Sequence, residues 1–201
     1  MADLDDSANL RAEWLQFRAQ LFDRDAGLPT LPTIVDDLRR SLEDAGAIGL
    51  LSFMLNAERQ VEEIWGWQAY DRLIADFVKE LRQLAVDARI PIETICIPAV
   101  RSDEILAFVP INDGGAPPDE QLRALAVRCE DFVRSFLVKR LTTIDRYCSH
   151  VGQSLILFDP KVRVERVVYR GLREARGEIY KRTATAEEHG AEALRGMLAR
   201  R

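Results

Sequence analysis

The 201-residue sequence predicts an α+β domain in which a mixed central sheet is covered by helices. Three observations support this. The run from Ile48 to Leu55 is continuously apolar, as a strand buried on both faces requires. Two β-branched and aromatic runs, 93–100 and 105–109, flank Arg101-Ser102-Asp103-Glu104, the spacing of a hairpin with a four-residue turn. Long stretches with apolar residues at helical spacing lie between and beyond these strands, so helices must cover the sheet.

From Asn9 to Phe22, Leu10, Trp14, Leu15, Phe17, Leu21 and Phe22 recur at helical spacing, which predicts an amphipathic helix able to pack on the core or on a second copy. Gly27, Pro29 and Pro32 interrupt that pattern. Thr33 is then placed to cap a second helix running to about Glu43, with Ile34, Leu38 and Leu42 inward, and Gly46 ends it. After the first core strand come a short helix, Ala57 to Trp65, stopped near Gly66, and a long one, Tyr70 to Val86, whose inner face is Leu73, Ile74, Phe77, Val78, Leu81 and Leu84. Past the hairpin the chain reads as a Gly/Pro loop from Asn112 to Pro118, a helix from Asp119 to Leu141, and a strand from Ser154 to Phe158 closed by Asp159-Pro160. From Val164 it is helical almost to its end. The expected division is an N-terminal helix over 1–24, a domain over 25–183 and a helical tail over 184–201.

Composition narrows the function classes. Hydrophobic residues at 47% and charged residues at 30% suit a folded core, and a net charge of −5 gives no general attraction to phosphate backbones or anionic lipid. Nucleic acid and membrane are therefore not expected partners. Residues Met1 to Asn9 are acidic and lack the apolar core of a signal peptide, and no apolar run approaches the roughly 20 residues of a membrane span. The expected location is the cytoplasm. Cys96, Cys129 and Cys148 are widely spaced and form no Cys-x-x-Cys pair, so reduced thiols are expected in place of a disulfide framework or a zinc site. His150 and His189 stand apart from any pattern with ligand spacing.

Gly27-Leu28-Pro29, then Gly66 and Asp71 after the first core strand, then Arg-Ser-Asp-Glu-Ile over 101–105 resemble, in order and spacing, the GGDEF or diguanylate cyclase domains. The match runs from about Asp25 to Val109, and Tyr169-Arg170 resembles the Tyr-Arg of that family's last helix. The resemblance implies a nucleotide-cyclase-like fold. In active members, the hairpin and a first-strand Asp hold two divalent metals that carry the triphosphate of GTP, and two facing domains make cyclic di-GMP.

Here Asp71 resembles the family's guanine-contacting Asp. Counting back from it, the guanine-contacting Asn falls on Glu62, the conserved Lys on Arg59 and the metal-binding Asp on Met54, whose thioether is a poor ligand for Mg²⁺. Asp103 and Glu104 match the metal-binding and catalytic acidic positions, but the two glycines are Arg101 and Ser102. Glycine lets backbone approach phosphate and tolerates positive φ, so an arginine is expected to remodel the turn. The Arg-x-x-Asp of the inhibitory product site falls on Ile92 and Ile95, which implies that this site is absent.

The resemblance thus implies a degenerate GGDEF-like domain, inactive as a cyclase, that signals through a protein partner or as a homodimer. No cofactor is expected, and Mg²⁺ only if nucleotide binding survives. A nucleotide-binding regulator that holds GTP or a related nucleotide through Asp71, Asp103 and the late arginines is the alternative, and a residual diguanylate cyclase ranks last.

Several residues carry two readings. Asp103 and Glu104 are either a residual metal site or, as favoured, an acidic solvated turn. Asp71 either contacts a purine base or caps the long helix that begins beside it. Arg166, Arg170, Arg173 and Arg176 repeat at intervals that align them on one helix side, as a phosphate- or partner-binding stripe requires; the interleaved Glu165, Glu174 and Glu178 favour a solvated charged helix instead. Trp65, Trp67 and Tyr70 would form a partner hot spot if exposed, and core packing is expected for at least two of them.

Overall fold

A computed structural model describes residues 14, 17, 21–55, 58–87, 90–111, 116–141 and 149–198; side chains are described neither at 58–60 nor beyond 185. In chain order the elements are β1 (Phe22–Asp23), β2 (Leu28–Pro29), α1 (Leu31–Ala45), β3 (Ala47–Met54), α2 (Glu58–Trp65), α3 (Trp67–Val86), β4 (Thr94–Cys96), β5 (Glu104–Pro110), α4 (Pro118–Val138), β6 (Val151–Leu157) and α5 (Val164–Leu198). The main sheet has the order β4-β5-β3-β6 with every ladder antiparallel, and its mixed character is confined to an isolated parallel bridge between Thr30 and Ile97.

The apolar run after Gly46 becomes the inner strand β3, because its side chains alternate between two cores. Leu51 and Phe53 face a core shared with α3 and α4, where Phe77 packs edge-on against Phe136 at 5.2 Å between ring centroids. Ile48 and Leu50 face a second core built by α1 and α5. α1 starts at Leu31, earlier than expected, since Pro32 fits a first helical turn that needs no N–H from it. Thr30 precedes the helix without a side-chain cap, and the Thr33 hydroxyl donates to the Thr30 carbonyl at 2.6 Å. Gly46, at φ 73°, closes the helix by donating its N–H to Leu42 O at 2.9 Å.

The hairpin differs from expectation. β4 holds only Thr94–Cys96, paired with Leu106–Phe108, and residues 97–103 all belong to the connection. Ile97 is drawn off to β2, donating to Pro29 O at 3.0 Å and accepting from Leu31 N at 2.7 Å, and Pro98 has no N–H to continue the ladder. β6 begins at Val151, before the expected Ser154. Of the helix expected over Asn9–Phe22, the described Trp14, Phe17 and Leu21 are helical, and Phe22 already opens β1. α5 runs unbroken through the expected boundary at 183/184.

β6 is an outer strand held from both faces of the sheet. Glu130 of α4 accepts the amides of His150 and Val151, each at 2.9 Å, and Glu178 of α5 accepts that of Gln153 at 2.9 Å. The close approach of α5 depends on Gly152, where an added Cβ would lie 2.0 Å from the Ala175 carbonyl oxygen. Cys96 and Cys129 are buried free thiols, and burial pushes the Cys129 thiol up to about 12. The expectation for Cys148 lies outside the described residues.

Candidate functional site

Gly66, at φ 81°, lets the chain turn between α2 and α3, and α3 starts at Trp67. Asp71 therefore sits beyond the first helical residues and does not cap the helix, which corrects the capping alternative. It faces the connection before β5. Asp71, Tyr70 and Ile74 form one wall of a narrow cleft of about 40 Å³, Arg101, Ser102 and Asp103 form another, and Asp23, Asp25 and Ala26 close it. The cleft adjoins an open groove of about 470 Å³ bounded by Asp25, Gln68, Asp71, Arg72 and Ala75.

Asp23 organises this end of the molecule. Its Oδ1 accepts the amides of Asp25 and Ala26, each at 2.9 Å, and its Oδ2 accepts the Arg101 amide at 2.8 Å. Arg101 lies at φ 58°, the left-handed conformation that a glycine would adopt freely. The expected remodelling of the turn is thus corrected: arginine takes the strained conformation, and the buried Asp23 carboxylate helps hold it. The cleft is markedly acidic. Desolvation raises the Asp71 carboxyl above its ordinary value; repulsion from Asp25 and Asp23 adds to this, and Arg101 opposes it.

Glu104 belongs to the other face of the sheet, on the same side as Leu106 and Phe108. It is 3% exposed and hydrogen-bonded to Ser52 Oγ at 2.5 Å and to Arg176 of α5, whose Nε lies 2.8 Å away and whose Nη2 makes a second contact to the same oxygen. The solvated-turn expectation is therefore wrong for Glu104, because the strand begins at that residue and its alternation turns the side chain inward. The hydrogen bonds to Glu104 raise the Arg176 guanidinium pKa. Arg176 accordingly leaves the proposed arginine stripe. Cys96 also faces this core, and burial followed by the neighbouring Glu104 charge pushes its thiol up.

The structure brings Asp71, Arg101, Ser102 and Asp103 together. Glu62 is exposed on α2 and Arg170 is exposed on α5, and neither lines the cleft; the side chain of Arg59 lies outside the described residues. Ile92 and Ile95 pack against the α3/α4 core. Trp65 and Trp67 are 50% and 62% exposed and only Tyr70 is buried, which corrects the expected packing of two aromatics: the turn at Gly66 carries both tryptophans outward. Sequence reasoning missed Asp23, Asp25, Ser52 and the inward role of Arg176. Ser52 carried a signal, being a polar residue inside an apolar strand, where a buried hydroxyl requires a partner.

No protein-family model matches the sequence, and no curated protein sequence matches it. Solved structures do. The GGDEF domain of FimX from Pseudomonas aeruginosa is 17% identical with a TM-score of 0.53, covering 80% of this chain and 94% of that one. A sensory box/GGDEF family protein from Caulobacter crescentus CB15 is 11% identical with a TM-score of 0.52, covering 82% and 99%. The GGDEF domain of DgcB from Caulobacter crescentus, solved in complex with c-di-GMP, is 16% identical with a TM-score of 0.50, covering 75% and 85%.

The fold is GGDEF-like. Within it, the donors present do not suit a pair of divalent cations. Met54 stands opposite Glu104 in the β3–β5 register, Glu104 is occupied by Ser52 and Arg176, and Asp103 lines the cleft on the other side. Among the described residues no group of three or more His, Cys, Asp or Glu side chains is placed to hold a metal ion. Among the described residues, too, no helix is long and apolar enough to cross a membrane.

Proposed function

We propose that this GGDEF-like domain is a degenerate signalling module without cyclase turnover that acts through protein contacts. The observation that carries this reading is the engagement of Glu104. At the position matching the family's catalytic acid, the carboxylate is buried and bound to Arg176 and Ser52, and its strand neighbour is a methionine. Releasing that carboxylate for chemistry would break its ion pair with the half-exposed Arg176 and its hydrogen bond from Ser52, and would leave a buried charge without those partners. Acidic residues crowd the cleft as well, so that among the described residues lining it a triphosphate would meet Asp23, Asp25, Asp71 and Asp103 against one arginine, Arg101. Partner binding has a parallel among proteins of similar fold. The diguanylate cyclase SiaD from Pseudomonas aeruginosa was solved with its activator SiaC, and the same role for this chain, including any part in c-di-GMP signalling, belongs to the proposal.

One observation favours a second reading, a nucleotide-binding regulator: Asp71 and the Arg101-Ser102-Asp103 turn share one cleft. Calorimetric titration with GTP, and separately with c-di-GMP, in Mg²⁺ and followed by product analysis, separates the readings. The protein-contact reading expects neither heat of saturable binding nor product. Saturable GTP binding without product supports the regulator, and formation of c-di-GMP overturns both.

A further inference from the structure

The interleaved charges of α5 do not form a uniformly solvated face. Each glutamate among them has an inward or lateral partner. Glu165 accepts from Arg39 of α1 at 3.4 Å, Glu174 from Ser154 Oγ at 2.9 Å, and Glu178 from the Gln153 amide at 2.9 Å and from Arg182 at 2.5 Å. The cations sort oppositely: Arg176 turns in to Glu104, while Arg166, Arg170, Arg173 and Lys181 are exposed on the outer side. Tyr169 and Tyr180 stand exposed among them. A Cβ added at Gly177 would meet nothing within 4 Å, which leaves a notch before the second tyrosine. The carboxylates that would neutralise this stripe are therefore engaged with the sheet and with neighbouring side chains.

The geometry points to this face of α5, from Arg166 to Lys181, as a docking surface for an acidic amphipathic helix of a protein partner. The inference rests on the protein-contact reading and names the surface and the chemistry it selects. The stripe is about 22 Å long at the helical rise; Arg166, Tyr169, Arg170 and Arg173 recur every three or four residues and Tyr180 and Lys181 follow two turns later on the same side, so a second helix lying alongside can meet them in register. Arginine binds carboxylates through two parallel hydrogen bonds, and tyrosine supplies rigid contact area with a polar tip. A membrane is the poorer fit, since the stripe carries no exposed Leu, Ile or Phe to enter the lipid.

The test measures fluorescence anisotropy of a labelled helical peptide of about 18 residues, five turns, with glutamates on one face flanked by leucines. The full chain is compared with its Arg166→Gln/Arg170→Gln/Arg173→Gln variant, whose substitutions are all on the surface, with circular dichroism confirming the fold. Expected are saturable binding at low salt, about tenfold weaker binding by the variant, and about tenfold weaker binding of a scrambled peptide of equal composition. No binding, equal binding by the variant or of the scrambled peptide, or preferential binding of phosphatidylserine vesicles or a short single-stranded RNA would each overturn the proposal. Product formation in the GTP titration would overturn the protein-contact reading and leave this binding result standing.

Discussion

At the scale of single residues, the cleft is held together by groups in unfavourable states. Arg101 occupies the left-handed region, which costs an L-residue about 1–2 kcal/mol, partly offset in any comparison with glycine by glycine's greater freedom when unfolded. Arg101→Gly is therefore expected to raise stability by up to about 1 kcal/mol in urea unfolding, and a loss would show that the arginine side chain contributes more than its backbone costs. Asp71 has a raised carboxyl in the folded state, so its contribution favours folding below the ordinary value of 3.8 and is lost as pH rises through the raised value. Asp71→Asn should accordingly raise the melting temperature at pH 7, with the gain vanishing near pH 3. A gain as large at pH 3 would mean that ionisation is not its source.

Among the elements, the packing of α5 on β6 is the least forgiving. At Gly152 an added Cβ would meet a backbone carbonyl at 2.0 Å, whereas at Gly171 it would meet the Ile156 side chain at 2.7 Å, and a side chain yields more easily. Gly152→Ala is expected to cost about 3 kcal/mol or more and Gly171→Ala distinctly less, measured by chemical denaturation; the reverse order would show that the helix slides readily on the sheet. The same helix explains what its sequence concealed. A three-to-four-residue repeat shows that the arginines share a side, but rotation about the helix axis is set by Gly152 and the inner core, and that rotation sends Arg176 inward and leaves Arg170 outside.

Across the whole molecule, the features legible in the sequence are those written in local patterns. The continuous apolar run gave β3 and the helical periodicities gave α1, α3 and α4, whereas the grouping of Asp71 with Asp103 came only from the resemblance, which also placed with them late arginines that do not line the cleft. What escaped depends on contacts distant in sequence. β4 is short because Ile97 is recruited by β2, and β6 starts early because Glu130 answers its first amides, although Gly152 and Gln153 carry no strand signal. The Glu104–Arg176 pair joins residues 72 positions apart, beyond the reach of any spacing rule.

The clasp on β6 has a consequence for how copies of this chain meet at high concentration. An outer strand with bare amides is a template on which a foreign strand can grow, and it is a common seed of aggregation. Here the carboxylates of Glu130 and Glu178 already accept the Val151 and Gln153 amides, so an incoming backbone would have to displace two charged acceptors to gain neutral ones. Sheet-to-sheet polymerisation is blocked along that stretch, and any neighbour approaching there must be recognised through its side chains.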